Sequence, residues 1–530
     1  MRPLESRRIT GRHLLLDAPG AAIEVALDEG EMWETAFRLW KERVGTMAAR
    51  IGWPAPRCSA RPWDAGTHGA SFALTAPPDQ LETACLVAEQ AMNEATDLDS
   101  IAAEQAREAS PRLRGLLDDA ASRGLPHFVD DEGFTLGYGK AQRTWPLHDL
   151  PASLPDVPSQ RVLTAFVTGT NGKTTTSRLL ARMAREAGFT DGLTSSDAIA
   201  VLGRAVVTGD WSGPGAARTL LRHPDVDFAV LETARGGLLR RGLAIGDADL
   251  AVVTNVSADH FGEYGIDTLE GMAEAKLSVT AGLRLHGTLV VNARCAPLMQ
   301  QVDAWMRRRP DLRVQTFADD GSDHLMLGGR SIPWAEIPIT VGGLARYNVE
   351  NALAALTAAR ALGVPDAAVE RALREFTPSV ADSAGRTNLF SFRGTTVLID
   401  FAHNPDGIQR LGKLIAGLPA SRRWMSLGQA GDRSDALIEQ TAFVAAQFSC
   451  DRYVVKDLAA YRRGRPPGEV ADRLEAGLLR GGVPADRIDR AASDTEAAAL
   501  ALAWVQPGDL VVLLVHEKLD DVLRLFEASA

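Results

Sequence analysis

The chain has 530 residues, enough for about two to four domains with well-filled cores. Hydrophobic residues make up 45% and charged residues 24%, and the net charge of −11 argues against general nucleic-acid or membrane-surface binding. Four scattered cysteines (Cys58, Cys85, Cys295, Cys450) show no CxxC or metal-ligand spacing, which fits a reduced, cytoplasmic setting. No long apolar run opens the chain and none could span a bilayer, so neither a signal peptide nor a membrane segment is expected.

Residues 1 to about 120 mix short strands with helices. Strands are expected at 13–16 and 22–27. A helix is expected over 79–96, with Leu81, Ala84, Cys85, Ala88 and Met92 on one face. A Pro-rich stretch, 146–158, reads as a linker. From Arg161 onward apolar strands alternate with helices. The strands are expected at 164–168, 228–232, 250–255 and 288–292, with polar loops at their carboxyl ends. That is the doubly wound α/β pattern, in which ligands bind outside those ends. An Ala/Leu-rich helix follows over 347–362. After Gly385 a second α/β series begins, with strands at 395–400, 424–427, 452–456 and 510–516.

The first of these strands runs into Gly169-Thr170-Asn171-Gly172-Lys173-Thr174-Thr175, and a helix-forming stretch follows. A glycine-rich turn at a helix N-terminus aims backbone N–H groups and the positive end of the helix dipole at an anion. Lys173 adds a point charge for outer phosphates, and the Thr174 hydroxyl suits Mg²⁺. The common P-loop has a glycine where Val167 stands, so this is a subtype whose first glycine is Gly169.

Three further strand ends carry chemistry. Glu232 opens Glu232-Thr233-Ala234-Arg235-Gly236-Gly237, where a carboxylate beside a P-loop can ligate nucleotide-bound Mg²⁺; the alternative is a solvated turn residue. His260 ends Thr254-Asn255-Val256-Ser257-Ala258-Asp259-His260. It could ligate a second cation or orient an acceptor carboxylate, or stand beside a helix N-cap built by Ser257 or Asp259. In the second series Asp400-Phe401-Ala402-His403-Asn404-Pro405 follows a strand and Gly385-Arg386 precedes it. Arg386 could reach a nucleotide phosphate or be a surface arginine, and Asp400 or His403 could simply cap a turn. Lys276, alone on a helix, would ordinarily be solvated.

These motifs, in this order, resemble the Mur ligase superfamily, and most closely the C-terminal ligase half of cyanophycin synthetase. The matching runs include VTGTNGKTTTSRLL, LETARGGLLRRGL, VVTNVSADHFGEYGIDTLE, YNVENALAA, GRTNLFSF, LIDFAHNPDG and GDRSD, across roughly 160–530. The resemblance implies four segments. These are an α+β N-terminal domain (1–125), a linker (126–160), a P-loop doubly wound central domain (161–380) and a C-terminal Rossmann-like α/β domain (381–530). Leu136-Gly137-Tyr138-Gly139-Lys140 resembles the segment that leads into an ATP-grasp domain in the full synthetase, yet here the P-loop follows almost at once. One of the two ligase activities is therefore expected to be absent.

Family chemistry implies ATP and Mg²⁺. Gly169 to Thr175 would form the cradle, and Thr174, Glu232, His260 and Lys276 would serve the metal sites. Lys276 aligns with the lysine carbamylated in many Mur ligases. Asn348 and Asn351 would lie beside adenine, and Arg386 and Asp400 would contact nucleotide, with His403 nearby. Lys173, Glu232, His260 and Lys276 would carry catalysis. The reaction implied is amide formation through an acyl phosphate. Its substrates are an amino-acid amine and a carboxylate-bearing amino acid or peptide, under closure of the C-terminal domain that excludes water. Retention of the N-terminal domain suggests a homo-oligomer or polymer docking. In the loop 457–469 an acidic-then-Arg-Gly-Arg pattern resembles the family's, but Lys456 stands where another acid is expected. Two other readings are a nucleotide-binding pseudo-ligase that partners a full synthetase, and a ligase that extends folate with glutamate.

Overall fold

The computed structural model describes residues 1–63, 68–94, 96–156 and 161–529. They form two compact units. The first comprises Met1–Val256, Phe261–Ala318 and Leu353–Val369; the second comprises Ser257–His260, Asp319–Ala352 and Glu370–Ala530. No described helix is long and apolar enough to cross a membrane.

The first unit opens with a four-stranded antiparallel sheet in the order Arg2–Ile9, Gly20–Ala26, Gly69–Thr75, Cys58–Pro62. Two helices, Trp33–Arg50 and Leu81–Gln90, share its core. Trp40 is fully buried there, 5.4 Å from the Phe72 ring, and its indole N–H donates to the Ala88 carbonyl at 2.9 Å. The expected helix over 79–96 is the shorter Leu81–Gln90, and residue 95 lies outside the described residues.

Residues 13–16 are not a strand. The His13 N–H bonds the Leu16 carbonyl at 2.6 Å, which closes a turn, and alternation cannot be read from three consecutive leucines. The turn places His13 in a dry seam. Its Nε2 meets the Leu239 carbonyl at 2.8 Å and its Nδ1 accepts the Leu15 N–H at 3.1 Å. Those two bonds suit only the neutral ring. Burial, then the Arg7 charge, pushes the pKa from 6.5 down to about 4, against the bond to Leu239. The unfolded chain therefore binds a proton that the fold refuses between about pH 6.5 and pH 4. Stability is lost as pH falls through that window, by about 3 kcal/mol in full. Urea midpoints are expected to drop from pH 7 to about pH 4.5 and to drop less for His13→Gln. Equal drops for the two chains would show that His13 does not set this dependence.

Residues 126–156 hold a small antiparallel sheet, His127–Asp130, Gly133–Leu136 and Arg143–Trp145, where a linker was expected. Phe134 and Leu136 bury against Leu113, Leu116 and Leu117 of the helix Pro111–Ser122, so the segment has a core of its own. The last part of the expected linker, 157–160, lies outside the described residues.

The main sheet of the first unit has eight strands. Their order is Arg204–Thr208, Ala198–Val201, Asp191–Thr194, Phe228–Glu232, Leu163–Thr168, Ala248–Val253, Leu283–Asn292, Arg313–Phe317. All but the Ala198–Thr208 hairpin run parallel. Strands buried on both faces read as continuous apolar runs, which is why 164–168 and 228–232 were visible in the sequence. The second unit is built on six strands: Asn388–Phe392, Thr395–Asp400, Leu510–Leu514, Arg423–Leu427, Arg452–Lys456, Ile488–Ala491. Only the first is antiparallel to its neighbour. Both sheets are of the expected mixed α/β class.

Candidate functional site

In the first unit the strand Leu163–Thr168 lies between Phe228–Glu232 and Ala248–Val253. Glu232 pairs with Val167 in register, and Val253 with Thr168, so three strand ends converge on the glycine loop. The loop is locked from the third strand. The Thr170 N–H bonds the Asn255 carbonyl at 3.0 Å, and the Asn171 N–H bonds the Asn255 side-chain oxygen at 2.9 Å. The Thr254 hydroxyl and the Asn255 amide donate to the Asn171 carbonyl at 2.7 and 3.0 Å. Gly172, at φ +82°, sits in the left-handed region and turns the chain into the helix Lys173–Glu186. Gly169 stands at φ +149°, and a Cβ there would fall 1.8 Å from the Thr254 hydroxyl oxygen.

A glycine turn locked at a helix N-terminus is the kind of cradle that suits a phosphate-sized anion. The Lys173 ammonium lies over its rim, 3.0 Å from both the Gly169 and the Thr170 carbonyl oxygens. The Thr174 hydroxyl is 3.3 Å from that of Ser196. Glu232 is 2% exposed, a carboxylate held dry at the adjoining strand end. Hydroxyl and carboxylate oxygens suit a hard divalent ion that shares its coordination with phosphates. Among the described residues no three His, Cys, Asp or Glu gather into an all-protein metal cluster. Lys276, on the helix Leu269–Leu277, is 3% exposed and therefore not the solvated lysine that its sequence setting would ordinarily imply.

The second unit holds the remaining expected residues in two groups. Asn351 donates to the Asn348 side-chain oxygen at 3.0 Å, and Asn348 donates to the Ile339 carbonyl at 2.9 Å and the Thr387 hydroxyl at 3.4 Å. Thr387, at φ +56°, gives its N–H to Asp400 at 2.8 Å and its hydroxyl to the same carboxylate at 3.2 Å. The Ala402 N–H adds a third bond at 2.9 Å. Burial raises the pKa of Asp400, opposed by the Arg386 charge and by these bonds. The Arg386 guanidinium lies 4.1 Å from the Phe401 ring centre. Asn348, Asn351 and Asp400 thus belong to one network whose hub is Thr387, a residue with no signal in the sequence. Asp400 spends its carboxylate on the turn that carries Arg386.

The other group surrounds Asp259. His403 Nε2 is 3.4 Å from its carboxylate, Arg433 Nε 3.2 Å and the Asn404 amide 3.4 Å. Burial works to raise the Asp259 pKa, but the bond from His403 and the charges of His403, His260 and Arg433 outweigh it and hold the group below the usual carboxylate range. His260, at φ +54°, meets Arg433 Nη2 through its Nε2 at 2.6 Å. Neither Ser257 nor Asp259 caps a described helix; the next one, Leu269–Leu277, is capped by Thr268. Thr254, Asn255, Ser196, Thr387 and Arg433 were not singled out from sequence. Short polar residues on loops reveal their partners only when distant strand ends meet.

Comparison with known proteins gives a consistent pattern. Residues 167–359 match the Mur ligase middle domain, and residues 385–514 match the Mur ligase glutamate ligase domain. A cyanophycin synthetase of Synechocystis sp. is 36% identical over 393 residues, covering 71% of this chain and 44% of that protein. The chain thus spans less than half the length of the synthetase it matches. A UDP-N-acetylmuramoyl-L-alanyl-D-glutamate–2,6-diaminopimelate ligase of Xanthomonas campestris is 28% identical, covering 69% of this chain and 74% of that one. Among solved structures, a folylpolyglutamate synthase/dihydrofolate synthase of Yersinia pestis, complexed with AMPPNP and Mn, shares the fold. Its TM-score is 0.51 at 19% identity, over 70% of this chain and 90% of that one.

Proposed function

We propose, for a chain that carries the middle and glutamate ligase domains of the Mur ligases, an ATP-dependent ligation that joins an amino-acid amine to a carboxylate as an amide. The observation that carries this reading is the locked cradle at Gly169–Thr174, with Lys173 on its rim and Glu232 at the adjoining strand end. The cyanophycin synthetase relatives favour an amino acid or peptide as the carboxylate partner.

In this reading the backbone from Gly169 to Thr175 binds the phosphates of ATP, and Lys173 offsets charge on the transferring group. Thr174 and Glu232 would hold Mg²⁺, which would supply charge neutralisation on the phosphates. Lys276, as a carbamate, would serve a second metal position. Asn348 and Asn351 border the adenine. Arg386 contacts the nucleotide from a turn that Asp400 holds. The substrate carboxylate attacks the γ-phosphorus and ADP departs. The neutral amine then attacks the acyl phosphate, a proton leaves the nitrogen, and phosphate is released.

The test is phosphate release from Mg·ATP across a panel of amino acids paired with short Asp-containing peptides. Amine-dependent release with at least one pair is expected. Nucleotide binding with no amine-dependent turnover for any pair would replace this reading with that of a nucleotide-binding partner subunit.

A further inference from the structure

One buried ionic node in the second unit has no part in the reaction above. Lys456, the last residue of the strand Arg452–Lys456, has a side chain only 1% exposed, and Asp494, the first residue of the helix Asp494–Trp504, has one 0% exposed. The Lys456 ammonium donates to the Asp494 carboxylate and to the carbonyl of Leu514, the last residue of another strand. The second Asp494 oxygen accepts the N–H groups of His516 and Glu517 at 3.0 and 2.7 Å. Gly428 leaves the lysine stem its room: a Cβ there would stand 3.1 Å from Lys456 Cε. The carboxyl ends of two parallel strands and the start of the helix Asp494–Trp504 are therefore tied at one point, at the edge where such sheets bind ligands.

The node reaches the expected nucleotide contacts through one ring. The loop it holds presents His516, whose ring centre is 5.0 Å from that of Phe401, and Phe401 carries the Arg386 guanidinium on its face. Burial and the neighbouring Lys456 charge lower the pKa of His516, so the ring packs as a neutral body. A buried ion pair is poor evidence for stability as such, since hydrophobic replacements often match it. What it offers is a unique geometry.

We propose that Lys456 and Asp494 are positioning residues for nucleotide binding, setting the His516 loop so that Phe401 holds Arg386 in place. This rests on the ligase reading only in taking Arg386 as a nucleotide contact. It also accounts for a lysine where an acidic residue was expected. Lys456 points into the sheet ends and pairs there, and so does not meet an amine substrate.

The test uses the full chain, with ADP affinity measured by calorimetry and thermal midpoints in parallel. Three variants are compared, Lys456→Met/Asp494→Asn, His516→Ala and Leu474→Ala; Leu474 is a fully buried core residue of the same unit. The double variant keeps an acceptor for the loop N–H groups while removing both charges. We expect the double variant and His516→Ala to weaken ADP binding at least tenfold. Leu474→Ala is expected to lower the midpoint while ADP affinity stays within twofold. Unchanged affinity in His516→Ala, or affinity lost in Leu474→Ala in step with its midpoint, overturns the proposal, even if the double variant fails to fold. A wild-type chain that binds ADP but shows no amine-dependent turnover removes the ligase reading and leaves this one standing. One that binds no ADP removes both.

Discussion

Lys173→Ala is expected to lower amine-dependent phosphate release by on the order of 10³-fold or more. The Lys173 ammonium is the cation on the rim of the cradle, 3.0 Å from two loop carbonyls, and its helix begins at the same residue. As phosphoryl transfer proceeds, charge spreads over the equatorial oxygens, and a prepositioned cation in a site closed to water is worth far more than one in bulk solvent. The fold should survive, because the loop's other locks run through Thr254 and Asn255. Single-turnover phosphate release, alongside an unchanged thermal midpoint, checks this. Turnover within tenfold of wild type would remove Lys173 from the mechanism.

Gly169→Ala should be nearly as damaging, for a steric reason. A Cβ 1.8 Å from the Thr254 hydroxyl oxygen cannot be accommodated without moving that residue, and φ +149° is costly for alanine. Thr254 in turn holds the Asn171 carbonyl at 2.7 Å, so its displacement opens the cradle. Loss of ADP affinity by at least tenfold is expected, with about 1–3 kcal/mol of destabilisation. The partner variant makes the argument specific. Thr254→Ala removes the clashing oxygen, so Gly169→Ala/Thr254→Ala should bind ADP better than Gly169→Ala alone. Strict additivity of the two losses in ADP titrations would show that the contact is not the cause.

Much of the fold was legible because parallel strands buried on both faces are apolar throughout and short. Thus 395–400 and 452–456 coincide with observed strands, and the helix expected over 347–362 is Arg346–Ala361. The N-terminal region was harder. A half-exposed antiparallel strand such as Arg2–Ile9, with its four charged residues, has no apolar run to mark it. The triple leucine at 14–16 imitated a strand because burial in a turn and burial in a sheet look alike in one dimension.

The same division applies to the site. Where local chain geometry shapes a loop, the sequence alone marked that loop. The glycine loop between the strand Leu163–Thr168 and the helix Lys173–Glu186 stands where it was expected, since its backbone N–H groups and the helix dipole come from residues adjacent in the chain. What only the tertiary structure decided is which distant groups complete it. Thr254 and Asn255 lock the loop because their strand neighbours Leu163–Thr168. Thr387 gathers Asn348 and Asp400 from separate elements. Lys456 turns inward because Asp494 and the Leu514 carbonyl meet it there. Hydrogen bonds and ion pairs act over about 3 Å, and the chain brings such partners together only after its strands are ordered.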